Sequence, residues 1–101
     1  MFKGGMAAML QKAKQMQEEM KIVQQEIKLI SCNGIAASGA VKVSLSGHYQ
    51  ATSIEIDDSL LDDKKLLEDL IITAYNDASG QVKEMSDEKL KKATGGIDLS
   101  L

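Results

Sequence analysis

An α+β fold in the order helix, three strands, helix is what this sequence predicts, and three observations predict it. Apolar residues recur at helical spacing from Met6 to Ile30. The period drops to two between Ser31 and Ile56, among three glycine turns, and helical spacing returns from Lys64 to Ala93. With 101 residues there is room for one domain, spanning 1–101, in which 6–30 is a helix, 31–56 a three-stranded antiparallel sheet, 64–93 a helix and 94–101 a tail.

The first helix rests on Met6, Met9, Ala13, Met16, Met20, Val23, Ile27 and Ile30, which follow one another in steps of three and four. That is a heptad seam, on a helix of about 25 residues and about 37 Å. Leu10, Ile22 and Leu29 widen the stripe, and the chain has no proline to interrupt it. Gly4-Gly5 precedes no Gly-Lys-Ser or Gly-Lys-Thr and follows no strand, so it reads as a flexible lead-in rather than a phosphate loop.

Asn33-Gly34, Ser38-Gly39 and Ser46-Gly47 are turn signals, and between them apolar and polar residues alternate. Val41-Lys42-Val43-Ser44-Leu45 and Thr52-Ser53-Ile54-Glu55-Ile56 each predict a strand with one buried face. Gly47 to Tyr49 closes a hairpin between them, and a less regular first strand covers Ser31 to Ala36. Asp57, Asp58, Asp62 and Asp63 then stand where carboxylates accept hydrogen bonds from the first free amides of a helix. That helix carries apolar residues at Leu66, Leu67, Leu70, Ile71, Ala74, Tyr75, Ala78, Val82, Met85 and Leu90, with a bend or break expected near Gly80 and an end at Gly95-Gly96.

Three strands of this length present a face about 17–20 Å long, enough for half of the first helix. The uncovered apolar ends predict an obligate homodimer, whose interface is expected to use Met6, Met9, Ala13, Met16, Met20, Val23 and Ile27 with Val41, Val43 and Leu45 of the sheet.

Composition excludes several functions. No apolar run approaches the ~20 residues that span a bilayer and Met1–Gly5 is not built like a secretion signal, so a cytoplasmic protein without a membrane partner is expected. One cysteine, Cys32, and one histidine, His48, cannot assemble a disulfide or a structural zinc site. His48 reads as an exposed turn residue and Cys32 as a half-buried thiol; no metal, no cofactor and no catalytic constellation is expected. The acidic cluster lacks the spacing of a calcium loop and reads as helix capping. Aromatic residues are only 3% of the chain, too few for stacking on unpaired bases.

Charge is more informative. All 12 positive residues are lysine, so the planar fork that reads guanine is absent and any anion must be bound by point charges. Residues 1–30 hold five lysines against three glutamates, a net of +2, whereas residues 57–101 hold six lysines against eleven acids, a net of −5. Lys14, Lys21 and Lys28 recur at intervals of seven beside the seam, with Lys12 nearby and Lys3 at the start. Such a row tracks phosphates, or it is a solvated helix face with pairs of the Lys14–Glu18 type; the sequence leaves both readings open.

Taken together, Met1-Phe2-Lys3-Gly4-Gly5-Met6, the run Leu10 to Met20, Val41-Lys42-Val43 with Gly47, Ile54-Glu55-Ile56-Asp57, Ser59 to Asp63, and Glu68-Asp69-Leu70-Ile71 through Ala78 resemble the bacterial YbaB/EbfC family of nucleoid-associated proteins. The resemblance covers nearly the whole chain up to Gly95-Gly96. It implies an intertwined, tweezer-like homodimer with a central sheet and projecting helices that binds double-stranded DNA in the nucleoid and organises the chromosome or regulates genes. It places DNA contact on the projecting helices, where charge nominates Lys3, Lys12, Lys14, Lys21 and Lys28 with Lys83, Lys89, Lys91 and Lys92. Ile97 to Leu101 lacks the Pro-Gly ending many relatives show, and the missing arginines point to modest sequence preference or readout through DNA shape. The competing reading is a coiled-coil-like protein interaction module whose lysines merely solvate it.

Overall fold

The structure, a computed structural model, describes residues 2–93, with side chains from Gly5 onward. In chain order it contains α1 (Phe2–Lys28), β1 (Ser31–Ala36), β2 (Val41–Ser46), β3 (Ala51–Ile56) and α2 (Lys64–Ala93), with short 3-10 turns at Ala37–Gly39 and Asp58–Leu60. The predicted α+β architecture is the observed one, drawn out to 74 × 21 × 16 Å. The strands form an antiparallel meander, β1-β2-β3, with Ala36 opposite Val41 and Val41 opposite Ile56.

Burial begins with α2, whose Ala74, Ala78 and Val82 recur every four residues and are wholly buried. They lie on Cys32, Gly34 and Ala36 of β1 and on Val41, Val43 and Leu45 of β2, the inward members of two alternating strands. Small residues set this close approach. A Cβ on Gly34 would overlap the Ala74 carbonyl oxygen and the Ala78 amide, so glycine is what lets the helix backbone seat on the strand.

α1 uses only its last third for packing. Val23 and Ile27 are buried, and Ile30 joins the core just beyond the helix, whereas residues 5–18 are exposed. The N-terminal half therefore projects as an arm.

Several expectations are corrected. α1 starts at Phe2, so Gly4-Gly5 lies inside the helix instead of leading into it, because glycine weakens a helix without stopping it and no proline intervenes. The helix ends at Lys28 rather than Ile30, where the Leu29 and Ile30 amides donate to Glu26 and Ile27 carbonyls at 3.1 Å in a tight last turn. β3 has no buried face: α2 crosses β1 and β2 and stops short of it, leaving Ile54 50% exposed and only Ile56 partly covered. α2 runs through Gly80 without a break, anchored by buried Ala78 and Val82 on either side. The expected stop at Gly95-Gly96 and the tail Ile97 to Leu101 lie outside the described residues.

The acidic cluster does cap. Asp63 accepts from the Leu66 amide at 3.1 Å at the start of α2, and Asp57 accepts from the Ser59 amide at 2.9 Å. That backbone hydrogen bond, with a second from the Ser59 side chain, holds the Asp57 carboxyl below its ordinary value.

Candidate nucleic-acid interface

A helix turns about 100° per residue, so residues seven apart return to nearly the same face about 10.5 Å further along. Lys14, Lys21 and Lys28 satisfy that spacing on α1, and all three are exposed. Among the described residues none of them makes an ion pair, and the Lys14–Glu18 contact expected of a merely solvated face does not form. Lys12, two residues before Lys14, stands about 200° around the helix and flanks the other side of the seam. The side chain of Lys3 lies outside the described residues.

The α2 lysines are arranged differently. Spacings of six, two and one residue scatter Lys83, Lys89, Lys91 and Lys92 around the helix instead of aligning them. Lys83 donates to Asp87 at 2.9 Å, and that hydrogen bond holds its ammonium above the ordinary lysine value. Lys89 faces α1 and reaches Glu26 at 3.5 Å. Lys89 and Lys92 line a cleft of about 530 Å³ between the helices, but Glu19, Glu26 and Glu88 line it too, so its field does not favour phosphate.

The nominated interface residues also divide. Val41, Val43 and Leu45 are buried beneath the chain's own α2, and Val23 and Ile27 pack within the same chain. Met6, Met9, Ala13 and Met16 remain exposed along the arm, Met9 to 73%, with Met20 half-buried where the arm meets the body. Leu10, at 69% exposure, continues the same apolar surface.

Two features escaped sequence reasoning because each joins residues far apart in the chain. The Ile35 amide donates to the Asp77 carboxylate at 3.0 Å, and the Gln81 side chain donates to the Asn33 carbonyl at 2.9 Å. α2 thus occupies the outer backbone of edge strand β1 with its own side chains. β3 is the opposite edge, and among the described residues nothing pairs with its outer backbone.

The remaining chemistry is spare. Cys32 is fully buried rather than half-buried; burial pushes its thiol up from the ordinary 9.0, and it donates to the Met85 sulfur at 3.4 Å. His48 is exposed in the β2–β3 turn, as expected. Among the described residues no three His, Cys, Asp or Glu side chains gather as metal ligands, and no helix is long and apolar enough to cross a membrane.

Comparison with known proteins converges on one group. The sequence matches the YbaB/EbfC DNA-binding family over residues 2–97. It is 44% identical over 99 residues to a nucleoid-associated protein of Polynucleobacter asymbioticus, covering 98% of this chain and 92% of that relative. A nucleoid-associated protein of Polynucleobacter necessarius is 43% identical over the same shares of both chains. The fold is similar to the crystal structure of an uncharacterized Helicobacter pylori protein, with a TM-score of 0.73 and 26% identity over 89% of this chain and 94% of the other.

Proposed function

The chain belongs to the YbaB/EbfC DNA-binding family, and from that premise we propose that it is a nucleoid-associated protein that binds double-stranded DNA as a homodimer. Lys14 on the arm and Lys21 and Lys28 further along the same face of α1 contact the phosphate backbone, with Lys12 on the flank. The observation that carries this reading is the regular, exposed row on α1, without ion pairs among the described residues, set against α2 lysines that are scattered or engaged by Asp87 and Glu26. Charges already neutralised in the protein release fewer counterions when DNA arrives.

The homodimer is supported by the apolar stripe along an arm that none of the described residues covers, and by the open edge of β3. Met6, Met9, Ala13, Met16 and Met20 are the seam, and Ile54 with the β3 edge extends it; Val41, Val43 and Leu45 serve the core of each protomer. Without arginine the contacts are positional, so sequence preference is modest and arises from DNA shape. The protein acts without catalysis, in the cytoplasm at the nucleoid, organising the chromosome and regulating the genes it occupies.

The test combines a mobility-shift titration of a random-sequence duplex, repeated over a salt series, with light scattering for mass. We expect a dimer whose log affinity falls with log salt by about 0.9 per phosphate contact. A flat salt response, or a stable monomer at working concentration, refutes the proposal. A dimer that ignores DNA while retaining proteins from nucleic-acid-free extract supports the interaction-module alternative.

A further inference from the structure

The turn between β2 and β3 holds an unusual residue for its backbone. Tyr49 sits at φ 63, in the left-handed region, where glycine or asparagine carries less strain than a bulky side chain. The residue is 43% exposed, so core packing does not explain why a tyrosine stands there.

The turn is firmly built. The Tyr49 amide donates to the Ser46 carbonyl at 3.0 Å and the Ser46 amide to the Gln50 carbonyl at 2.8 Å. The Ser46 hydroxyl accepts from the His48 and Gln50 amides at 3.2 and 3.3 Å. Gly47 is pressed against α1 so closely that a Cβ would overlap the Ile27 carbonyl oxygen. The turn is thereby seated on the last helical turn of α1, one residue before Lys28, the end of the lysine row. Lys83 of α2, paired with Asp87, lies within electrostatic reach of the Tyr49 phenol.

We infer that Tyr49 is a DNA contact, its hydroxyl donating a hydrogen bond to a backbone phosphate adjoining the one bound by Lys28. This rests on the DNA-binding reading above. A rigid tip presents a neutral donor at a fixed place beside point charges on flexible stems, and tyrosine hydroxyls are among the side-chain donors that position proteins on duplex phosphates. The strain at Tyr49 is then the cost of placing a phenol where the turn alone favours glycine.

Three variants test it. The chain has two tyrosines and no tryptophan, so Tyr75→Phe leaves Tyr49 as its one tyrosine emitter. Saturating that variant with a random-sequence duplex should quench its emission. Tyr49→Phe should weaken binding by at least about tenfold, as for one hydrogen bond to a charged group, with the salt slope unchanged because the phenol is neutral. Tyr49→Gly should weaken binding at least as much while melting no lower than the parent protein, an outcome a merely structural tyrosine does not give.

Wild-type affinity in Tyr49→Phe, or unchanged Tyr49 emission in a complex seen by mobility shift, overturns the inference and leaves the lysine row standing. No complex with the parent protein overturns both.

Discussion

Neutralising the lysine row is the perturbation with the most to say. Lys14→Gln, Lys21→Gln and Lys28→Gln together remove three exposed charges spaced about 10.5 Å apart, near the Debye length at 0.1 M salt, so each acts as a separate point contact. If each holds one phosphate, the salt slope drops by about 0.9 per lysine, or about 2.7 for one protomer's row. At 0.1 M salt the same arithmetic gives a loss near 500-fold for that row, since each contact released contributes about 0.9 decade. None of the three makes an ion pair within the described residues, so melting temperature should barely move and the change isolates binding from folding. Fluorescence anisotropy of a labelled random-sequence duplex, measured from low to moderate salt, reads both slope and affinity. As a contrast, Lys83→Gln and Lys89→Gln should leave the slope close to that of the parent. An unchanged slope in the triple variant, or a larger change in the α2 variants, refutes placement on α1.

Further predictions concern the scaffold. Gly34→Ala sets a methyl against the Ala74 carbonyl and Ala78 amide, and should cost about 1–3 kcal/mol or more of stability, seen as a lower thermal midpoint by circular dichroism; an unaltered midpoint contradicts the seating of α2 on β1. Asp63→Ala removes the cap from the Leu66 amide and should cost about 1 kcal/mol in a urea titration. Cys32 should resist a thiol-reactive disulfide reagent in the native state and react at once in denaturant. Because folding raises the Cys32 thiol above its ordinary 9.0, that contribution to stability is complete below 9.0 and lost as pH climbs through the folded value, which a urea series at alkaline pH detects.

Much of the architecture was legible because periodicity is a local property. The start of α2 at Lys64 was legible from the aspartates before it and the helical spacing after it, and β2 from the alternation Val41, Val43, Leu45. What sequence could not supply was the path of one element over another. Thr52 to Ile56 alternates as cleanly as β2, yet whether its apolar side is covered depends on where α2 crosses, and α2 stops short. Cys32, Gly34 and Ala36 read as an irregular strand because a glycine occupies the centre of the buried face, a choice that makes sense only once Ala74 and Ala78 are above it. The row Lys14, Lys21, Lys28 was visible in its spacing of seven. Its lack of ion-pair partners among the described residues, and the capture of Lys89 by Glu26 across 63 positions, were not. Tyr49 gave one faint signal, a bulky residue within a turn beginning Ser46-Gly47, but its left-handed backbone belongs to the folded hairpin.

The unequal treatment of the two outer strands bears on how large any assembly becomes. With Asp77 holding the Ile35 amide and Gln81 the Asn33 carbonyl on one rim of the sheet, the other is, among the described residues, the rim left open to a neighbour. Two copies meeting rim to rim about a two-fold axis consume that one vacancy each, and nothing is left to template a third. In such a pairing, growth into a fibre, the usual hazard of a bare strand, would be arrested after a single step.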